Sequence, residues 1–321
     1  MLISTQITGV SFLYRSKPVL LLASSVVFAA SAQPPAPAAP NIRVDSTLVL
    51  VPVTVTDASN RYVLGLEKQN FRVFEDSAEQ QVKQFSGEDA PLSVGLIVDT
   101  SGSIGDKLDI CRAAVMQFLK TMNADDEAFL VEFSDRAQLV VPITHDTGQI
   151  ADKLTSAQAG GTTALFDGLY VGLKEMKNAH NPRKTLLVIS DGGDNSSIFS
   201  AKEILQISRE ADVQIYAMGV FEPVSSVSLS LAELAGPRLL AGISEQTGGR
   251  AFAAASLHEL PQIASRIGIE LRNQYVLAYS PSNQSKNGKY RKVEVKLSQP
   301  EGITGLKARW RLGYYAPSPI P

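Results

Sequence analysis

The run Val94-Gly95-Leu96-Ile97-Val98 is apolar at every position, so a strand made of it must be covered on both faces. A strand with one wet face would alternate. Thr185-Leu186-Leu187-Val188-Ile189 has the same character, strands are also expected over Ala128 to Phe133 and Val213 to Val220, and the stretches between have helical spacing. From Asp106 to Met122, Leu108, Cys111, Val115, Phe118 and Met122 recur every three or four places and make one buried stripe. Further helices are expected around Leu165 to Met176, Ala201 to Glu210 and Leu257 to Leu271. Apolar strands alternating with amphipathic helices from Leu92 to about Arg272 predict an α/β fold, a mostly parallel sheet with helices on both faces. In such sheets ligands bind beyond the carboxyl ends of the strands.

The flanks change period. Leu48 to Thr56 is rich in β-branched residues and ends at the turn Asp57-Ala58-Ser59-Asn60, while Phe71 to Phe74 and Val82 to Phe85 alternate. Pro52 marks an edge strand or a bulge. After Arg272 come Tyr275 to Tyr279, a polar turn from Ser280 to Gly288, and two alternating runs, Tyr290 to Leu297 and Leu306 to Leu312. Neither flank is long enough to bury a core alone. Residues 41–90 and 273–316 are therefore expected to pair into one small β-sandwich, with the α/β domain of residues 91–272 inserted between them.

At the N-terminus, Arg15 and Lys17 precede the apolar run Val19 to Ala30, and Ala30-Ser31-Ala32 has a small-x-small cleavage pattern. This predicts a secretory signal over residues 1–32, or an N-terminal membrane anchor where it stays uncleaved. A Pro-rich linker follows over residues 33–40. The expected place of work is outside the cytoplasm, in the periplasm or at the cell surface. A net charge of −2 implies no basic surface, so no nucleic-acid partner is expected. One cysteine, Cys111, and three histidines, His145, His180 and His258, exclude a disulfide framework within the chain and disfavour zinc sites. Cys111 lies on the buried stripe and reads as a small hydrophobe.

The chemistry lies at the ends of two apolar strands. One runs into Asp99-Thr100-Ser101-Gly102-Ser103, which puts one carboxylate and two hydroxyls at alternate positions of a tight loop, Gly102 allowing the turn. The other ends in Ser190-Asp191-Gly192-Gly193, and Gly160-Gly161-Thr162-Thr163 offers a further hydroxyl ahead of a helix. If these strands are neighbours, the three loops converge on an all-oxygen site suited to Mg²⁺ or Mn²⁺. Asp194-Asn195-Ser196-Ser197 reads as a helix cap in a solvated loop, and Gly248-Gly249 as a turn after a helix.

This combination resembles the metal-ion-dependent adhesion site of the von Willebrand factor A and integrin inserted-domain superfamily, over roughly residues 91–270. The matching pieces are Asp99, Ser101 and Ser103, the Gly-Gly-Thr loop at Thr162, and Asp191. The resemblance implies that the serines and the threonine ligate the metal directly and the aspartates act through water, with Thr163 the alternative to Thr162. The flanks Val51 to Asp57, Phe71 to Asp76 and Arg311 to Pro317 are similar to a bacterial group of exported von Willebrand factor A-related proteins, abundant in acidobacteria.

The implied activity is binding: the cation keeps an open position for the Asp or Glu carboxylate of a protein partner. A structural envelope or assembly subunit with a fold-stabilising metal is the alternative. A metal-dependent phosphoesterase would want more carboxylate or histidine ligands, and a serine hydrolase would want a histidine base. Val98 to Gly102 lacks the glycine of an aspartic-protease loop, and no phosphate-binding Gly-x-x-x-x-Gly-Lys pattern occurs. No enzymatic activity and no nucleotide are expected.

Overall fold

The N-terminal flank of the chain forms β1 (Val49–Thr56), β2 (Phe71–Glu75), β3 (Ala78–Gln80) and β4 (Val82–Ser86). The α/β region then runs β5 (Leu92–Asp99), α1 (Leu108–Leu119), β6 (Glu127–Phe133), β7 (Ala137–Thr144), α2 (Thr147–Ser156), α3 (Leu165–Glu175), β8 (Arg183–Ser190), α4 (Ala201–Glu210), β9 (Gln214–Gly219), α5 (Leu231–Thr247), β10 (Ala251–Ala253) and α6 (Leu260–Arg272). The chain returns to strands in β11 (Tyr275–Tyr279), β12 (Tyr290–Leu297), β13 (Lys307–Arg309) and β14 (Gly313–Tyr315). This computed structural model describes residues 48–87, 89–220, 231–254, 256–298 and 304–318. The expected signal over 1–32 and linker over 33–40 lie outside the described residues. Among those described, no helix is long and apolar enough to cross a membrane.

Apolar continuity in the sequence becomes the central sheet, ordered β10-β9-β8-β5-β6-β7. All neighbours are parallel except β6 and β7. Every residue of β5 is buried, which requires a layer on each face. Leu108, Cys111 and Phe118 of α1, Ile150 of α2 and Ile263 of α6 pack on one face. Leu165 and Leu169 of α3, Ile204 of α4 and Ile243 of α5 pack on the other. Cys111 is fully buried, and burial pushes its thiol up to about 12, so it serves as a packing group. The start of α4 is set locally, because Ser200 and Glu203 form a reciprocal capping box.

The flanks build two further sheets, β13-β1-β11-β4 and β14-β12-β2-β3, and each mixes strands from both flanks. Val51 pairs with Leu277, Leu277 with Phe85, and Val73 with Val295, all antiparallel. Their inner faces share one core of Val51, Val53, Val73, Leu277, Tyr279 and Val295. Thus the α/β sheet is inserted in a sandwich made by both flanks. β1 contacts β11 through Val49–Val53 and β13 only through Thr54–Thr56. Pro52, which has no N–H to donate, therefore sits where β1 has a neighbour on one side alone. The expected single strand from Leu306 to Leu312 is corrected: Lys307–Arg309 pairs with β1, while Gly313–Tyr315 crosses to the other sheet and pairs with β12.

Polar clusters fasten the insertion to the sandwich. Arg272 forms ion pairs with Asp126 and with Asp89 at 3.1 Å, and Arg183 donates to the Ala90 carbonyl at 2.9 Å and to the Leu271 carbonyl. Asp89 and Ala90 lie where the chain passes from β4 into β5, Leu271 and Arg272 where it passes from α6 into β11, and Asp126 and Arg183 at the starts of β6 and β8. Two residues before Arg272, the buried Glu270 accepts from Tyr216 Oη at 3.0 Å and Arg309 Nη1 at 2.9 Å.

Candidate metal centre

The chain lays β6 and β7 on one side of β5, then returns to lay β8 on the other. Connections leave β5 and β8 in opposite directions, which makes their carboxyl ends the place where sheets of this kind bind ligands. Asp99 ends β5 and Ser190 ends β8, and the two strands are hydrogen-bonded neighbours in register from Leu92↔Arg183 to Val98↔Ile189.

Asp99 is buried and anchors this corner. Its Oδ1 accepts from the Ser101 amide at 2.9 Å and its Oδ2 from Ser190 Oγ at 2.7 Å. Ser190 Oγ in turn accepts from the Gly192 amide at 3.0 Å, which holds the Asp191 loop against the first one. Ser101 Oγ and Ser103 Oγ stand 3.0 Å apart, the first wholly buried and the second exposed, so the hydroxyl pair leads from the interior to the surface. Thr100 fixes the loop from outside, donating its amide and hydroxyl to the Phe133 carbonyl at 2.8 and 3.1 Å.

The Gly160–Thr163 loop closes on the same corner. The Gly160 amide donates to the Thr100 carbonyl at 2.9 Å, and the Gly102 amide to the Gly161 carbonyl at 3.0 Å. A Cβ at 102 would start 3.1 Å from that carbonyl oxygen, a tight contact that the glycine relieves; its φ is not positive. Thr162 is exposed, and its hydroxyl donates to Asp135 at 2.6 Å. Thr163 is buried and its backbone is held by Asn195, whose amide donates to the Thr163 carbonyl at 2.9 Å and whose side-chain Oδ1 accepts from the Thr163 amide at 2.8 Å. Asp191 is half-buried, with Oδ1 3.3 Å from the Gly193 amide.

Burial pushes the Asp99 carboxyl up to about 6; hydrogen bonds from Ser101 and Ser190 pull it back, and the negative charge of Asp191 adds to the rise. Neither Asp99 nor Asp191 takes part in an ion pair among the described residues. The corner thus gathers two carboxylates and several hydroxyls with no cationic side chain paired to them. Among the described residues no group of three or more His, Cys, Asp or Glu is arranged to hold a metal. The donors at this corner are of a different kind, mostly hydroxyls.

The structure adds two residues that the motifs did not single out, Ser190 and Asp135. Ser190 was visible only as the neighbour of Asp191, and its link to Asp99 depends on β5 and β8 being adjacent. Asp135 enters from the β6–β7 turn, which no motif marks. Asp194 and Ser197 cap the start of α3, both accepting from the Phe166 amide, at 3.2 and 3.0 Å, and Asp167 of α3 in turn holds the loop by accepting from the Ile198 amide at 2.9 Å.

Residues 94–193 match the family model of the von Willebrand factor type A domain, a span that holds all five expected site residues. The chain carries such a domain. Among curated proteins it is 25% identical over 181 residues to an uncharacterised protein of Borreliella burgdorferi, covering 50% of this chain and 53% of that protein. It is 26% identical over 121 residues to the human voltage-dependent calcium channel subunit alpha-2/delta-2, covering 34% of this chain and 10% of the subunit. The chain thus spans about half the length of the first of these relatives and far less of the second. A solved von Willebrand factor type A structure from Catenulispora acidiphila is similar at a TM-score of 0.48 and 12% identity, covering 85% of this chain and 74% of that one.

Proposed function

We propose that the von Willebrand factor type A domain of this chain is a metal-dependent binding module, working outside the cytoplasm, that grips an acidic group of a protein partner. The observation that carries this reading is the company of Asp99: a buried carboxylate held by Ser101 and Ser190, near Asp191, and without a basic partner. Oxygen donors of this kind suit a small hard cation, Mg²⁺ or Mn²⁺. Asp99, Ser101, Ser103, Thr162 and Asp191 are the residues that would hold it. When bound, the cation supplies positive charge and an open coordination position. The chain's own part is to keep the hydroxyls in place and the carboxylates behind them: Asp99 ties its loop to β8, and Ser103 presents its hydroxyl at the surface. The partner's Asp or Glu carboxylate completes the arrangement. Export is supported by the charged, apolar and small-residue pattern of residues 15–32.

Calorimetry with Mg²⁺ is expected to show one site, lost in Asp99→Ala. Equal binding by that variant would remove the metal from the proposal. Retention of a partner from cell-envelope extract in Mg²⁺ but not in chelator supports the gripping role. Retention independent of the cation favours the alternative, a structural or assembly subunit in which the metal only stabilises the fold.

A further inference from the structure

The amide and the hydroxyl of Thr162 both donate to Oδ1 of Asp135, each at 2.6 Å. Asp135 lies in the turn between β6 and β7, and that turn is tied to the site loops. The Ala164 amide donates to the Ser134 carbonyl at 2.8 Å, one residue beyond the Phe133 carbonyl that holds Thr100. The fit extends to Gly161. Its φ is +79°, and a Cβ there would stand 2.5 Å from Asp135 Oδ1. The carboxylate reaches Thr162 only because position 161 carries no side chain.

We infer that Asp135 is a positioning residue that sets the Thr162 hydroxyl as a cation ligand, a role that rests on the metal reading above. A hydroxyl that ligates a cation must turn an oxygen lone pair toward it and its hydrogen away. At Thr162 the hydrogen is already committed to a carboxylate, so the lone pairs remain for the cation. A charged acceptor also raises the donor strength of that oxygen, as carboxylates behind metal ligands do elsewhere. Ser101 and Ser103 have no such arrangement, since they share a single hydrogen bond between themselves. Of the two adjacent threonines, Thr162 is therefore the ligand. Asp135 acts through it and does not touch the cation.

The test measures Mn²⁺ affinity of the full chain by the paramagnetic resonance of the free ion, for wild type, D135A, T162V and the double variant. D135A should weaken binding by about 10- to 100-fold, the range for losing a group behind a ligand. In the T162V background the same substitution should change affinity by no more than about twofold. D135N keeps the shape and one acceptor oxygen without the charge, and should fall between wild type and D135A; it carries the comparison if D135A does not fold. Equal weakening by D135A in both backgrounds would mean that the carboxylate acts on the cation through its field, and overturns the positioning role. So does unchanged affinity in D135A. Absence of Mn²⁺ binding by the wild-type chain would instead overturn the metal reading itself, so the two failures are distinguishable.

Discussion

Two buried carboxylates of this chain are tuned in opposite directions. At Glu127, burial alone would raise the carboxyl, but Ser93 Oγ at 2.6 Å, His180 Nδ1 at 2.8 Å and the His180 amide at 2.6 Å outweigh it and bring the group down to about 2. A depressed folded value gives stability that is present above the unfolded value, about 4.5, and is lost as pH falls through about 2. Glu127→Gln should therefore lower the melting temperature most above pH 5, with the gap closing toward pH 2; a gap constant over that range would contradict the assignment. Asp99 is the reverse case, raised from 3.8 to about 6. In metal-free protein its ionised form lowers stability increasingly as pH rises from about 4 through 6. Asp99→Asn should accordingly melt above wild type at pH 8 in chelator, with the difference vanishing near pH 4. A variant that melts lower at pH 8 would show that its hydrogen bonds outweigh its burial. Asp99, Ser101 and Asp191 could be read from sequence because each ends or follows an apolar strand. Ser190 and Asp135 could not, since their importance comes from strand neighbours and a hairpin turn far away in the chain.

Elements with a strong period were legible and those held by their neighbours were not. α1 buries Leu108, Cys111, Ala114, Val115, Phe118 and Leu119 on one face and so announces itself. In α2 only Ile150 and Leu154 of ten residues are buried, and in β7 only Val141 of eight, so neither stands out by pattern. β7 exists because β6 offers it an antiparallel edge. The Leu306–Leu312 run alternates like one strand, yet Trp310 Nε1 donates to the Val293 carbonyl at 3.0 Å just where the chain changes sheets. Along α6 the informative residue is Glu270, one of the few buried charges. Tyr216, Arg309, and at 3.4 Å each Thr54 and Tyr62, all donate to it. Glu270→Gln keeps the shape but leaves Arg309 without its counter-charge. Arg309 is a third exposed and can turn to water, so a loss of about 2 kcal/mol in urea unfolding is expected, below the range for a fully enclosed pair. A loss under about 0.5 kcal/mol would place the network outside the folding energetics.

At the scale of the whole molecule, the two flanks depend on each other. β11 lies between β1 and β4, and β12 lies beside β2, so deleting residues 273–321 takes both neighbours from β1 and the partner from β4, and leaves β2 with the short β3 alone. Limited proteolysis of the truncated chain should then cut within residues 48–87. Equal protection there would contradict the shared core. That the flanks must combine was legible from their length, since neither has enough apolar surface for a core. Their registers and the division into two sheets were not, because alternation is the same in any pairing. The pairing of β4 with β11 has a mechanical consequence. Ser86, just before the insertion, is directly opposite Val276, just after it, so the two stems are hydrogen-bonded to each other. Tension applied between the flanks is transmitted across this clamp and bypasses residues 91–272. A pull on the chain would load the sandwich first and reach the Asp99 corner only through the side-chain contacts of Arg183, Arg272 and Glu270 with the flanks.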